Sequence, residues 1–363
     1  MSSSSRKVSQ TQIARDLGVS QALVSLVLNG RRDGINPATY TRIWEHTARC
    51  GYRAKGMNPA AAVAASRPPQ IGIILRPALS LSRIGNYFSH VQHGLHAALD
   101  AAGGQTVFLG SEQTLDPTRL ARLFRPDHFL QGLVIFGDVS RSFLEALLSF
   151  EPHVVSVSGN PSIPGHTVDG DETASLDLIV RHLHDLGHRR IGWLGGKAGQ
   201  RRHENRFASF RAALAKHGLT ANSRYETIHR DADRAEGAEA VHALLPLSRH
   251  RDFPTAFVCY NSLMAAGASL ALSRAGWPVP ARLSVVGADL PRATTKGELA
   301  VTGAGASPEA IGHAAARLLL EPRVDPLPRY QQLVLPATLT IGETSGKAPA
   351  APRPRRSKIF ARA

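Results

Sequence analysis

Apolar residues recur at helical spacing in two short runs near the start of the chain, within QIARDLGVSQALVSLVLNG (residues 12–30). The first run holds Ile13, Ala14 and Leu17, and the second holds Leu23, Val24, Val27 and Leu28. Each run predicts one short amphipathic helix. Isolated helices of this length are marginal in water, so the two helices must pack on each other and on further structure.

The residues around the two runs are typical of helix ends. Ser9 followed by Gln12 predicts a capping box, Gly18 suits a left-handed helix end, and Ser20 suits an N-cap. Two short helices that cross through a tight glycine turn form a helix-turn-helix, whose second helix enters the major groove of DNA. The alternative is a small helical bundle that does not contact DNA.

A third helix is predicted to complete this unit. Asn36 and Pro37 form a cap and first-turn pair, and Gly51 is expected to end the helix. Ile43 and Trp44 fall on its inward face. Three short helices can bury one another's apolar faces, which accounts for their stability.

A short linker follows, RAKGMNPAAAVAASRPPQ (residues 53–70). Asn58–Pro59 is a cap followed by a first-turn proline, AAAVAAS has high helix propensity, and Pro68–Pro69 stops the helix. This pattern predicts a short helix in the linker. A flexible alanine-rich linker without DNA contact is the alternative.

Beyond the linker, continuous apolar runs alternate with amphipathic helical stretches. The predicted strands are residues 71–75, 107–110, 132–137, 153–159, 191–196, 256–261 and 283–289. Unbroken apolar strands between helices indicate parallel sheets covered on both faces. Seven strands with helices between them are more than one small sheet needs. The expected α/β core therefore has two doubly wound parallel-sheet subdomains, as in periplasmic binding proteins.

The net charge of +15 is concentrated at the two ends of the chain. Residues 1–60 hold nine Lys or Arg against three Asp or Glu, and residues 346–363 hold six basic residues and no acidic one. The 285 residues between them carry a net charge of only +3. Basic ends on a near-neutral body indicate that the ends contact a polyanion. For the C-terminal tail, plain disorder is the alternative.

Cysteine content and apolar runs indicate a cytoplasmic protein. Two cysteines, Cys50 and Cys259, exclude a disulfide framework and fit a reducing compartment. MSSSSRKVSQTQ at the start lacks the apolar segment of a signal peptide, and no uncharged apolar run approaches the roughly 18 residues of a membrane span. No membrane partner is expected.

Polar residues at strand ends predict a small-molecule site. Asn261 and Asp289 end two predicted strands, and Arg206 opens a helix soon after another. In open α/β sheets, ligands bind beyond the carboxyl ends of the strands, and these three side chains suit a polyol. For each residue alone, a helix cap or an ion pair is the alternative. From the other subdomain, the residues expected to close the pocket are Arg83, Asn86, Phe136 and Asp138.

Other motifs indicate no catalysis, metal or cofactor. His90, His93 and His96 lack the spacing and carboxylates of a metal site and predict a solvated helix face. GGKAG (residues 195–199) lacks the spacing and Ser/Thr of a phosphate loop. Cys259 lies in an apolar strand and is expected to be inert. No catalytic residue is predicted.

With these motifs in order, the chain resembles the LacI/GalR family of bacterial transcription regulators. IARDLGVSQALVSLVLNG, the third helix ending in CGY, and the core motifs carry the resemblance over roughly residues 6–345. It implies an operator-binding homodimer that is controlled by a small-molecule effector, most commonly a repressor.

The resemblance also implies roles for individual residues. Base edges are read from the positions of Gln21, Ala22 and Leu26, and phosphates are held from those of Ser9, Ser20, Ser25 and Asn29. Leu26 replaces the common arginine, so guanine recognition is lost there. Val63 stands where the family inserts a hinge-helix leucine into the minor groove, so a weaker kink is expected.

The family also uses the positions of Arg206, Asn261 and Asp289 to bind its effector. Ser262 and Leu290 replace aspartates that are common beside that site, which argues against an ordinary hexose. No tetramerising coil is expected, because the tail after Ser345 has no leucine and contains Pro349, Pro352 and Pro354.

The sequence therefore predicts four regions: a helix-turn-helix domain at 1–56, a hinge helix or linker at 57–69, an effector-binding and dimerisation core at 70–345, and a basic disordered tail at 346–363. Its partners are a near-palindromic double-stranded operator, a sugar or sugar-like metabolite, and a second copy of the chain. A solute-binding protein of periplasmic type without DNA function is the main alternative, and an enzyme on an α/β scaffold is a second one.

Overall fold

A computed structural model describes residues 8–31, 34–50, 52, 69–76, 86–124, 130–150, 153–159, 165–197, 199, 201–291, 299–321 and 330–350. The N-terminal unit consists of three helices, α1 (Gln10–Leu17), α2 (Gln21–Leu28) and α3 (Pro37–Arg49). They share one small core, which includes Ile13, Val24, Val27, Ile43 and Trp44. The three predicted helices and their inward faces are therefore present.

The first sheet of the core has six parallel strands in the order β11-β5-β4-β3-β1-β2. Its strands are β1 (Gln70–Leu75), β2 (Gln105–Ser111), β3 (Leu130–Phe136), β4 (Val154–Val157), β5 (His166–Gly170) and β11 (Gln332–Leu335). Its helices are α4 (Asn86–Ala101), α5 (Pro117–Leu123), α6 (Arg141–Leu148) and α11 (Pro308–Leu320). Separate apolar clusters lie on the two faces of this sheet, as a parallel sheet requires.

The second sheet also has six strands, in the order β12-β10-β9-β8-β6-β7. Its strands are β6 (Ile191–Lys197), β7 (Glu226–His229), β8 (Ala256–Cys259), β9 (Ser284–Gly287), β10 (Thr302–Gly305) and β12 (Thr338–Thr340), of which β12 alone among these runs antiparallel to its neighbour. Its helices are α7 (Glu172–Asp185), α8 (Arg201–Lys216), α9 (Arg234–Leu244) and α10 (Ser262–Arg274). The two sheets confirm the predicted pair of doubly wound subdomains.

The chain passes between the subdomains three times among the described residues, after β5, after β10 and between β11 and β12. The sequence patterns predicted neither β5 and β7 nor the last three strands. These strands are short, and β11 exposes alternate residues, so they lack a continuous apolar run.

Each subdomain has one pair of helices in backbone contact through glycine. In the first, a Cβ on Gly94 of α4 would lie 2.1 Å from the carbonyl oxygen of Glu309 on α11, and Gly312 is equally close to α4. In the second, Gly237 of α9 and Gly267 of α10 are packed against each other's helices in the same way. Because no side chain fits at these crossings, each helix pair is closely fixed.

The core continues past its predicted boundary at residue 345. Gly346 bonds to Ser284 and accepts a hydrogen bond from the ring of buried His188, and the amide of Ala348 donates to Leu186. Thr344 is fully buried beside Thr302. This segment, residues 342–348, is here called the C-terminal strap, so the tail prediction is wrong for residues 346–348. Residues 351–363 lie outside the described ranges.

Candidate functional site

The helix-turn-helix is built by local hydrogen bonds. The hydroxyl oxygen of Ser9 accepts from the amide of Gln12, and that of Ser20 accepts from the amide of Leu23. Gly18 ends α1 in the left-handed region at φ 67°. These ends confirm the predicted caps in part, because the Gln12 side chain donates to Asp16 instead of completing a capping box.

The helix α2 has one buried and one exposed face. Val24, Val27 and Leu28 are buried in the unit's core. Gln21 and Ala22 are exposed in the first turn, and Leu26 is 39% exposed one turn later. Ser25 is half-buried and Asn29 is exposed at the C-cap. The residues predicted to read bases therefore lie on the outward face of one helix.

The predicted minor-groove residue, Val63, lies outside the described residues, together with most of the linker. Gly51 and Arg83 also lie outside them. Asn86 begins α4, but its side chain is not among those described.

In the core, charged and polar side chains gather at the carboxyl ends of strands of both sheets, and the region between these strand ends is here called the cleft. Arg76 follows β1, Phe136 ends β3 just before Asp138, and Asn261 and Asp289 follow β8 and β9. Polar groups gathered at the carboxyl ends of parallel strands are typical of ligand sites in open α/β folds.

Asn261 and Asp289 both bond to the start of α10. The amide oxygen of Asn261 accepts from the backbone of Met264 at 2.8 Å, and its amide nitrogen donates to the carbonyl of Ala232 at 2.7 Å. A carboxylate oxygen of Asp289 accepts from the backbone of Ser262 at 2.8 Å. Both residues therefore hold a helix terminus at the edge of the cleft, which is the alternative role left open for them.

Arg206 is 3% exposed and forms a two-point ion pair with Glu172. Its Nε and Nη2 donate to the two carboxylate oxygens at 2.5 and 3.1 Å, and Nη1 donates to the carbonyl of Tyr260 at 2.6 Å. Burial alone raises the pKa of Glu172, but the charges and hydrogen bonds of Arg206 and Arg202 outweigh it and hold the pKa below its ordinary value. The carboxylate is therefore ionised and fixes the guanidinium.

Two further arginines at the start of α8 reach across to the first subdomain. Arg201 donates to the carbonyl of Gly159, and its Nε lies 3.5 Å from a carboxylate oxygen of Asp138. The Arg202 guanidinium lies 4.5 Å above the ring of Tyr87. These contacts join the subdomains across the cleft.

The apolar wall of the cleft comes from the first subdomain. Phe136 is 1% exposed, and its ring stacks on Phe88 at a centroid distance of 5.7 Å. Phe136 is therefore positioned as core beneath the cleft, with Phe88 above it. Tyr87 packs edge-on against Phe88 and brings its hydroxyl within 3.4 Å of Ser158.

The sequence patterns missed several charged cleft residues. Asp169 belongs to β5, and Glu172 follows it. Because β5 was not predicted, neither residue was recognised as lying at a strand end. Arg76 follows a strand that was predicted, and the same strand-end rule would have found it. Burial raises the pKa of Asp169 to about 6, although Arg202 and Arg201 act to lower it.

Two residues outside the cleft can be compared with their predictions. His90 was expected on a solvated face, but it pairs with Glu309 at 2.7 Å and is partly buried. Cys259 is fully buried in β8, and burial raises the pKa of its thiol far above the ordinary value, consistent with an unreactive thiol. Among the described helices, none is both long and apolar enough to cross a bilayer.

Known proteins are similar to this chain in sequence. The profile of the periplasmic binding protein-like domain matches residues 180–345. The maltose regulon regulatory protein MalI of Escherichia coli is 30% identical over 279 residues, which cover 75% of this chain and 77% of that protein. The transcriptional repressor PurR of Aliivibrio salmonicida is 24% identical, with coverage of 85% and 90%.

Solved structures share the fold across nearly the whole chain. A lac repressor dimer bound to operator and an anti-inducer has a TM-score of 0.65 at 21% identity, covering 94% of this chain and all of that one. The regulator CelR in complex with cellobiose has a TM-score of 0.63 at 20% identity, covering 93% of this chain and all of that one.

A helix-turn-helix joined to a two-subdomain ligand-binding core defines a ligand-regulated transcription factor. The chain belongs to the LacI/GalR family of bacterial transcriptional regulators, as its similarity to MalI shows. It is therefore a DNA-binding repressor with an effector-binding core. It is neither an enzyme nor a solute-binding protein without DNA function, because its relatives are regulatory proteins and transcriptional repressors.

Proposed function

We propose that two copies of this chain bind a near-palindromic operator through α2, under the control of a sugar-like metabolite in the core cleft. The observation that carries the DNA role is the outward face of α2, where Gln21, Ala22 and Leu26 are exposed above buried Val24 and Val27. A helix of this kind fits the major groove with its first turn toward the bases.

The exposed side chains indicate how bases are read. The amide of Gln21 can bond adenine N6 and N7, and Ala22 offers apolar contact to a thymine methyl. Leu26 has no donor for guanine. Ser9, Ser20 and Asn29 lie at helix ends and Ser25 lies within α2, and their hydroxyl and amide groups suit phosphates, which set the register of the protein on DNA.

Assembly as a homodimer follows from the symmetry of such operators. Half-sites one helical turn apart, about 34–36 Å, require two copies of α2 at matching positions. We assign residues 1–56 to DNA binding, 57–69 to the hinge with Val63 toward the minor groove, and the core from residue 70 to effector binding and dimerisation. The lac repressor structure, which is a dimer on its operator, supports this arrangement. The protein would act in the cytoplasm, where its DNA is.

The effector would bind at Arg206, Asn261 and Asp289, with Asn86 closing the site from the first subdomain and buried Phe136 supporting the site from below through Phe88. Arginine, carboxylate and amide groups at one cleft suit the hydroxyls of a polyol. The CelR structure contains cellobiose, which supports a sugar-like ligand here. Because Arg201 and Arg202 contact the first subdomain, a ligand between the subdomains would favour one arrangement of them, and its coupling to operator affinity must be reciprocal.

The test is selection of bound sequences from random duplex DNA by the full chain, repeated with Gln21→Ala. The parent should enrich a near-palindrome, and Gln21→Ala should lose the preference at one base pair in each half-site. Arg141→Ala, at a site 88% exposed on α6, is the control and should select the parent sequence. A parent that enriches no sequence, or a Gln21→Ala protein with unchanged preference, would contradict the proposal.

A further inference from the structure

Four arginines converge on the cleft and are here called the arginine cluster: Arg76, Arg201, Arg202 and Arg206. Their direct ion pairs among the described residues go to two carboxylates, Asp138 and Glu172. Glu172 serves both Arg202 and Arg206. Arg76 has no ion pair among the described residues, although the charges of Asp138 and Asp231 act on it, and Asp169 acts in the same way on Arg201 and Arg202.

Arg76 lies beside the same carboxylate as Arg201. A Cβ placed on Gly137 would lie 2.5 Å from Cδ of Arg76 and 3.3 Å from its Nε, so the Arg76 side chain passes over the residue before Asp138. Burial lowers the pKa of Arg76 and Arg202 lowers it further, whereas Tyr260, Asp138 and Asp231 raise it. Arg76 is thus close to both the charged carboxylate and another guanidinium.

Buried polar atoms at this point lack hydrogen-bond partners. Within the described part of the chain, Nε of Arg76 and Nε of Arg201 have no acceptor, and Oδ1 of Asp138 has no donor. The 3.5 Å between Arg201 Nε and Asp138 Oδ1 is longer than a good charged hydrogen bond. Unmet buried groups cost free energy, so these three atoms mark positions for ligand atoms.

We propose that the effector of this chain is an anionic polyol. Its phosphate or carboxylate accepts hydrogen bonds from Nε of Arg76 and Nε of Arg201, and one of its hydroxyls donates to Asp138. The same ligand then reaches the polyol-binding side of the cleft at Asn261 and Asp289. This inference rests on the proposed function and names the chemical class of its effector.

Asp169 adds a pH dependence to this site. Its pKa is raised to about 6 mainly by burial; the charges of Arg202 and Arg201 lower the pKa, and those of Glu172 and Asp138 raise it. When ionised, it repels a bound anion. For a carboxylate ligand, whose own charge is constant between about pH 7.5 and 6, affinity is therefore expected to rise as the pH falls through this range and Asp169 takes up a proton.

The first experiment uses orthophosphate as a probe of the charged subsite. Thermal unfolding of the full chain is followed at pH 6.5 as phosphate is added, against sodium chloride at equal ionic strength. Phosphate should stabilise the parent saturably. Arg76→Met should lower the apparent affinity for phosphate about tenfold, and Arg76→Lys should lower it less. Arg141→Met on α6 should leave this affinity unchanged.

The inference would be overturned if phosphate stabilised the parent no more than chloride does, or if it stabilised Arg76→Met as much as the parent.

Glucose 6-phosphate, gluconate and glucose are then compared by calorimetry. Tighter binding of either acid than of glucose supports an anionic polyol and identifies the group, whereas glucose equal to both acids contradicts it. Selected operator DNA is tested on the same samples: a chain that binds it but fails with phosphate loses this inference alone, and a chain that binds no operator loses the proposed function.

Discussion

The helix proposed to read DNA, α2, and the cleft proposed to bind the effector hold their side chains in different ways. On α2, Gln21, Ala22 and Leu26 are exposed, and the buried face of the helix secures the fold. In the cleft, Arg206 and Asn261 belong to the fold as well, through an ion pair and a helix cap. Operator preference can therefore change at little cost in stability, whereas effector specificity cannot. Four variants test this contrast, from the largest expected effect on the free energy of unfolding to the smallest.

Arg206→Met should destabilise the core by about 3 kcal/mol, because it leaves the Glu172 carboxylate with Arg202 alone. The measurement is urea unfolding of the full chain at neutral pH. Arg211→Met on the same helix removes a pair in which the arginine is 49% exposed, and it should cost less than about 1 kcal/mol. Equal losses from the two variants would remove the distinction drawn for the cleft.

Asp169→Asn should stabilise the protein at pH 7.5 by roughly 2 kcal/mol. The raised pKa of Asp169, about 6 against 3.8, means that its ionised form disfavours the folded state. The stability that protonated Asp169 contributes to the folded state is fully present below pH 3.8 and is lost as the pH rises through about 6. The free energy of unfolding should therefore depend less on pH in the variant than in the parent between about pH 4 and 7.5. Asp100→Asn, at an exposed position of α4, should keep the pH dependence of the parent. A parallel shift of the whole curve would count against this assignment.

Asn261→Ala should cost about 1 kcal/mol through loss of the α10 cap, and Asn261→Ser, which can still cap, should cost little. Effector-induced release or tightening of operator DNA is then measured for both variants. Loss of the effector response in the serine variant at parental stability would separate ligand binding from capping. A serine variant with a full response would assign Asn261 to capping alone.

Leu26→Arg should change stability by less than about 0.5 kcal/mol, because residue 26 is 39% exposed. It should nevertheless add a preference for guanine at one position per half-site, worth about 1–3 kcal/mol. Selection from random duplexes measures the preference. Leu26→Lys can also donate to guanine but lacks the rigid fork of arginine, so it should add a weaker guanine preference. A Leu26→Arg protein that selects the parent motif would argue against base readout at this residue.

Regular patterns made much of this molecule predictable from its sequence. The helix-turn-helix followed from caps and apolar spacing, and the two sheets followed from long apolar runs such as residues 71–75 and 283–289. The positions of Arg206, Asn261 and Asp289 near the strand ends were predictable because these residues stand beside predicted strands or helices, whereas their effector role stays a prediction. The positions of Glu172 and Asp169 were not predictable, because β5 is short and partly exposed. The pairing of Arg201 with Asp138 depends on how the subdomains meet, which no local pattern encodes.

The order of strands has a consequence for how this protein is made. Both sheets receive an edge strand from the end of the chain, β11 in the first and β12 in the second, and the strap at 342–348 then covers the second. A ribosome adding about 5–20 residues per second releases the three N-terminal helices long before either sheet can close. The N-terminal helical unit can therefore fold during translation, while the two-sheet core becomes complete only after β11, β12 and the strap have been synthesised.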